Sequence, residues 1–295
     1  MKYKVMNDPL DLLNKLVEQV RPKYIIALFS GGHDSTVATH IASRHPAFSF
    51  ACHLDTGIGV PQTRDFVSQT CNEWGVELKI YRAADYVRAN GTPDPQIYEE
   101  MVCEHGFPGP AFHKRMYNSL KERPLRMMLR ELERGRHDRV MLVSGIRRAE
   151  SVRRMRHVEP LQQWEGTKFW AAPIWQFTKV DVGEYMQTSL LKRNEVVDSL
   201  HKSGECLCGA YAKKGELDEL AFWFPDVANQ IKELETKVKA RGFPWGWEAC
   251  PPKWWGGVKS GQLFLPGLDL MCTSCERTFQ DGHFRMDKKR RNDGH

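Results

Sequence analysis

The sequence has no apolar run approaching the roughly 18 residues that a membrane span needs. Its first residues, Met1-Lys2-Tyr3-Lys4, carry no apolar segment of the secretory kind. It also lacks internal repeats and low-complexity stretches. These absences argue against membrane, solenoid and disordered classes and set the expectation of a cytoplasmic protein that touches no membrane. In that compartment disulfides are disfavoured, so eight cysteines point to metal or redox chemistry for some of them. Excess charge is small, at +6, but uneven. Arg147, Arg148, Arg153, Arg154 and Arg156 crowd together, a spacing suited to clamping polyanions, whereas Lys288-Lys289-Arg290-Arg291 reads as a solvated end. What is present, 295 residues with 41% hydrophobic and 27% charged, suffices for one large α/β domain with an appendage or for two modest domains.

Asp8-Pro9 reads as a helix cap followed by proline at the first helical position, and Leu12, Leu13, Leu16, Val17 and Val20 then repeat at helical spacing. Strands are expected over 24–29, 47–54, 77–82 and 139–144, with helices over 34–44 and 61–74 between them. This alternation predicts a doubly wound parallel sheet with its ligand at the carboxyl ends of the strands. Residues 91–137 interrupt it with Gly/Pro-rich turns and a basic helical stretch, an insertion placed to lie over that ligand or to dock a partner. Beyond about residue 200 helical segments flank cysteine pairs and a Trp/Gly/Pro-rich stretch. We therefore divide the chain into a nucleotide-binding domain, 1–200, and a mostly helical, cysteine-bearing region, 201–295.

The apolar run 24–29 passes directly into Ser30-Gly31-Gly32-His33-Asp34-Ser35 and then a helix. Glycines allow consecutive backbone N–H groups to point at one anion, and the helix start adds its own unpaired donors and dipole. Ser30 and Ser35 supply hydroxyl donors. Asp34 cannot bind phosphate itself, so it either holds the loop or positions Mg²⁺. The ligand expected here is ATP or a related adenine nucleotide.

On this loop the sequence resembles the PP-loop superfamily, the N-type ATP pyrophosphatases with an adenine nucleotide alpha hydrolase-like fold. Further motifs resemble the phosphoadenylylsulfate (PAPS) reductase family: His53-Leu54-Asp55-Thr56-Gly57, Lys121-Glu122-Arg123-Pro124-Leu125, Gly145-Ile146-Arg147-Arg148-Ala149-Glu150-Ser151, and Pro173-Ile174 with Asp181-Val182. The resemblance spans about residues 23–190. It implies that Asp55, Thr56 and Gly57 contact the nucleotide beside the loop, with Asp55 on Mg²⁺ or a ribose hydroxyl. It implies too that Gly145 lets the nucleotide pass close to backbone and that Arg147 forks onto phosphate oxygens. Lys121 either stabilises charge on leaving pyrophosphate or is a helix-surface lysine. Asp34, Lys121 and Arg147 are the expected catalytic residues.

Cys206-Leu207-Cys208 and Cys272-Thr273-Ser274-Cys275 are two close pairs. Four thiolates suit tetrahedral Zn²⁺ or an iron–sulfur cluster, and a C-x-C is too tight for an ordinary zinc knuckle. The assimilatory adenylylsulfate reductases carry similar pairs on a 4Fe–4S cluster, and this resemblance implies iron, with zinc the alternative. Cys250 is a substitute ligand or a lone nucleophile, while Cys52, Cys71 and Cys103 read as small core residues.

The sulfonucleotide reductases end in a Glu-Cys-Gly-x-His segment, and no cysteine follows Cys275. The Gly-Gly-x-Asp-Ser loop instead resembles that of ATP-cleaving relatives, such as the ATP sulfurylase small subunit and the DNA phosphorothioation enzyme of the same family. The expected activity is therefore adenylylation of a substrate by ATP·Mg²⁺ with release of pyrophosphate, followed by sulfur transfer from a donor protein. The basic insertion and the arginine group direct that expectation to tRNA or DNA. The alternatives are a true PAPS or adenylylsulfate reductase and a nucleic-acid-binding protein with a structural zinc. Monomer and homodimer both stay open.

Overall fold

The computed structural model describes residues 8–132, 135–150, 159–249 and 251; one compact unit extends to Cys250. Of the expected features, Arg153, Arg154, Arg156, Cys250, Cys272, Cys275 and the basic run 288–291 lie outside the described residues.

The first helix, α1 (Pro9–Val20), starts as its sequence dictates: Asp8 accepts from the Leu10 N–H at 2.9 Å and Pro9 needs no donor. Next come β1 (Tyr24–Leu28), α2 (His33–Ser43), β2 (Phe48–Asp55), α3 (Pro61–Glu73) and β3 (Leu78–Arg82). The insertion supplies α4 (Tyr98–His105), α5 (His113–Tyr117) and α6 (Arg123–Glu131), the last two joined by a π-helical turn, Asn118–Glu122. The sheet is completed by β4 (Val140–Val143), β5 (Leu161–Glu165) and β6 (Lys168–Ala171). The helices α7 (Lys179–Thr188), α8 (Glu195–Leu200), α9 (Glu216–Trp223) and α10 (Pro225–Ala240) follow.

The sheet order is β3-β2-β1-β4-β6-β5, parallel except for β5, which runs antiparallel to β6 at the edge. The expected parallel sheet thus gains a hairpin and becomes mixed. Strand periodicity sorts the core. Ile25, Ala27, Met141 and Val143 face the side covered by α1, α2 and α7. Ile26, Val140 and Leu142 face α6, whose Leu125, Met128 and Leu129 recur at helical spacing.

Strand order reverses about β1, with β2 on one side and β4 on the other. Such a switch point leaves a crevice at the carboxyl ends of the two central strands, here β1 and β4. The boundary expected near residue 200 falls inside the unit, because the chain after α8 packs back beside this crevice. Trp247 Nε1 donates to the Leu207 carbonyl at 2.6 Å and Trp245 Nε1 to that of Phe107 at 2.8 Å. The two indoles thereby tie the Trp/Gly/Pro-rich stretch to the cysteine segment and to the insertion.

Candidate functional site

At the end of β1 the chain turns through Gly31, whose φ of +79° suits glycine, and α2 begins at once. Ser35 Oγ and Thr36 Oγ1 both donate to the Gly32 carbonyl at 2.9 Å, and Ser30 and Ser35 hydroxyls lie 3.0 Å apart. Asn194, 2% exposed, donates to the Gly31 carbonyl at 2.9 Å while capping α8. The loop is therefore braced by a residue 163 positions further along the chain.

The loop opens onto a cavity of about 900 Å³, large enough for a nucleotide. Ser30, Gly32, His33, Asp34 and Ser35 form its floor, with Lys121, Gly145 and Arg147 on its walls. Gly145 ends β4 against the start of α2: a β-carbon there would sit 2.5 Å from the Asp34 backbone carbon. The close approach shown here is to the helix backbone, and Gly145 also lines the cavity.

Arg147, 8% exposed, places Nη2 2.9 Å from Asp34 Oδ2 and donates through Nη1 to the Phe177 carbonyl at 3.4 Å. Its Nε is buried with no hydrogen-bond partner among the described residues. Asp34 thus holds a guanidinium. The same holds for the other carboxylates of the cavity: Asp198 pairs with Arg193 and Glu205 with Lys121. Asp55 is bound by Arg64 at 3.2 Å, by Arg82 at 3.7 Å and by the Gly57 N–H at 2.9 Å, and it does not line the cavity. Among the described residues there is no cluster of three or more His, Cys, Asp or Glu that could hold a metal ion. Asp34 lines the cavity paired with Arg147, whereas Asp55 is held by Arg64 and Arg82 away from the cavity lining.

Thr56 and Gly57 are not among the residues lining the cavity. Thr56, 1% exposed, donates to the Glu205 carbonyl at 2.8 Å, and Gly57 turns the chain at φ +73°. They belong to a seam in which residues 56–63 run beside 203–207: the Val60 N–H donates to the Gly204 carbonyl at 2.8 Å and the Leu207 N–H to that of Ile58 at 2.6 Å. A β-carbon on Gly59 would lie 2.5 Å from the Glu205 carbonyl oxygen, so glycine permits this approach.

Lys121 sits in the π turn and donates to Glu205 Oε2 at 2.9 Å. Burial opposes its charge, but the Glu205 carboxylate and the neighbouring Cys206 outweigh that and hold the ammonium above its ordinary value. Glu205, 8% exposed, needs this counter-ion, so Lys121 lines the cavity as a partnered ammonium.

Sequence reasoning missed Lys179, Arg193, Asp198, His201 and Lys202, which also line the cavity. They follow no period and are gathered only because α7, α8 and the next turn cross the strand ends. Asn194 left one legible signal, an Asn immediately before a helix. Burial, then the Arg193 charge, hold His33 below the ordinary imidazole value, against the opposing pull of Asp198.

Cys206 and Cys208 follow Glu205 directly. The Cys206 thiol hydrogen-bonds to Cys208, which raises Cys206 and lowers Cys208 below the ordinary thiol value; the Ala210 N–H and Lys121 also favour the Cys208 thiolate. A soft pair with one sulfur poised as thiolate fits a thiophilic metal. The remaining two expected ligands, Cys272 and Cys275, lie outside the described residues. Burial, by contrast, pushes the Cys71 thiol up to about 12 and that of Cys52 higher still. Alkylation of the native protein at neutral pH, followed by peptide mass analysis, should leave both unmodified. Rapid labelling of either would contradict their core placement.

A family model described as the phosphoadenosine phosphosulfate reductase domain matches residues 24–207. The chain is 24% identical over 274 residues to an uncharacterised protein of Methanocaldococcus jannaschii, covering 85% of this chain and 58% of that one, so it spans little more than half of that relative. It is 26% identical over 196 residues to a phosphoadenosine 5′-phosphosulfate reductase of Xanthomonas axonopodis pv. citri, covering 61% and 73%. Among solved structures it is similar to the Candida auris PAPS reductase in a phosphate complex, with a TM-score of 0.48, 19% identity and coverage of 67% and 87%. It is similar also to a U34-tRNA thiolase of Methanococcus maripaludis with its 4Fe–4S cluster, with a TM-score of 0.44, 15% identity and coverage of 92% and 86%.

Proposed function

The chain belongs to the phosphoadenosine phosphosulfate reductase domain family, and from that premise we propose that it is an enzyme that activates an acceptor with ATP and supports sulfur transfer onto it. The observation that carries this reading is the phosphate end of the cavity. There the start of α2, with Ser30 and Ser35, faces Lys179, Arg193 and Lys202 across one enclosure. A helix start with convergent cations suits a chain of phosphates more than a single one.

In this reading the backbone N–H groups of residues 31–35 hold the phosphates, and an acceptor oxygen attacks the α-phosphorus. Pyrophosphate leaves as the α–β bond breaks, and its developing charge is met by preorganised donors. A sulfur nucleophile then displaces AMP, so that the acceptor exchanges its activated oxygen for sulfur. Arg147 orients Asp34 and keeps the loop in shape. Cys206 and Cys208, with Cys272 and Cys275, would hold a 4Fe–4S cluster or zinc, which would supply a sulfur-binding or Lewis-acidic centre. The acceptor we favour is a nucleic acid, on the exposed basic residues of the insertion.

A second reading, reduction of a sulfonucleotide, is favoured by the acidified Cys208 beside Lys121. Calorimetry separates the two. ATP·Mg²⁺ should bind, PAPS should bind at least tenfold more weakly, and Lys202→Ala should weaken ATP by about tenfold, the scale of one charge-assisted hydrogen bond to phosphate. Tight PAPS binding with none for ATP would replace the first reading by the second.

A further inference from the structure

His113, Tyr117 and Lys121 succeed one another at intervals of four along α5 and the π turn that continues it, a spacing that stacks side chains on one helix face. Lys121 is the inner end of this row, where it lines the cavity and meets Glu205. Tyr117 also lines the cavity yet is 40% exposed, so it forms the lip. Outside it the His113 ring lies 6.3 Å from that of Tyr117 and 4.7 Å from that of Tyr211. Tyr211 is 54% exposed and comes from the loop just after Cys208. Two distant segments thus build one row of rings leading over the surface into the nucleotide cavity. Lys114 and Arg115, next to His113 in the chain, and Lys213 and Lys214, just after Tyr211, are exposed; the Arg115 guanidinium also meets His105 Nε2 at 2.5 Å.

Aromatic faces interleaved with cations suit a strand of unpaired nucleotides, whose bases offer π-faces while its phosphates seek positive charge. A duplex keeps its bases stacked and has no face to offer. We propose that a single-stranded segment of nucleic acid lies along this row, its bases on Tyr211 and Tyr117 and its backbone against the four cations, and that the acceptor nucleotide enters the cavity past Tyr117. The inference rests on the nucleic-acid acceptor of the preceding reading and adds its form, an unpaired strand.

The test is fluorescence anisotropy on the full chain with its metal, using a labelled oligoribonucleotide, the same sequence as DNA, and the oligoribonucleotide annealed to its complement. A single strand should bind with affinity that falls steeply with salt, the tighter of the two single strands identifying the sugar, and the duplex should bind more weakly. Tyr211→Ala should weaken single-strand binding by about tenfold, Tyr211→Phe should retain it, and calorimetry should show unchanged ATP affinity in both. Wild-type binding matched by Tyr211→Ala, an equal loss in Tyr211→Phe, or a duplex bound as well as a single strand would overturn the row while leaving a nucleic-acid acceptor standing. No binding of any of the three by the wild type at low salt would overturn that acceptor and the row together.

Discussion

Replacing Asp34 by alanine is expected to abolish measurable ATP binding and to lower stability by about 3 kcal/mol, the scale seen when one partner of a buried ion pair is removed. For a chain of this size that is on the order of 6–12 °C in Tm. The size follows from Arg147, which is 8% exposed and already has one unpartnered nitrogen. Without Asp34 its charge would be left, among the described residues, against the Phe177 carbonyl alone. The double variant Asp34→Ala/Arg147→Met separates the two effects, since exchanging a buried pair for apolar residues is often neutral. It should regain most of the lost stability and none of the ATP binding. Thermal melts and calorimetry together decide the matter. An unchanged midpoint in the single variant would mean that the pair is not holding the loop, and retained ATP binding would remove Asp34 from the site.

The second large effect is on metal content. Cys206→Ser or Cys208→Ser should strip protein purified without oxygen of nearly all its bound metal, whereas Cys52→Ser and Cys71→Ser should leave it unchanged. Closing the long chain between the two cysteine pairs is no obstacle, because loop entropy grows only logarithmically with length. Metal–thiolate binding, on the order of 10 kcal/mol in structural sites, exceeds it. Elemental analysis of each variant reads the result. Brown protein containing iron supports the cluster; colourless protein with one zinc refutes it and keeps the four-ligand set. Loss of metal in Cys250→Ser, with retention in Cys208→Ser, would show that Cys250 is the fourth ligand.

The parts of this protein that were legible in its sequence are those specified by neighbours in the chain. An apolar run followed by glycines and a helix start, as at 24–35, needs no distant residue to be understood, and neither does Asp8-Pro9 before α1. The hairpin β5–β6 escaped because its strand Leu-Gln-Gln-Trp-Glu is a half-exposed edge, with too few apolar positions to show a period. Pro225, by contrast, marks in the sequence the point at which α9 gives way to α10.

The site divides in the same way. Ser30, Asp34 and Arg147 could be named from motifs, since each lies in or beside a glycine turn at a strand end. Asp55 was assigned to the nucleotide because it too ends a strand. The sequence says nothing of Arg64 and Arg82, which claim its carboxylate. Lys179, Arg193 and Lys202 follow no motif, and only the fold brings them to line one cavity.

Glu205 joins two chemistries within a single residue. Its carboxylate holds Lys121 on the cavity wall, its carbonyl receives Thr56, and its peptide bond leads straight into Cys206. A rigid joint of this kind makes occupancy of the cysteine pair and occupancy of the cavity a matter of thermodynamic reciprocity. If a filled metal site tightens the hold on nucleotide by some factor, nucleotide must tighten the hold on metal by that same factor. On the proposed reading the chain would respond to two supplies at once: with either metal or nucleotide scarce, its grip on the other would loosen too.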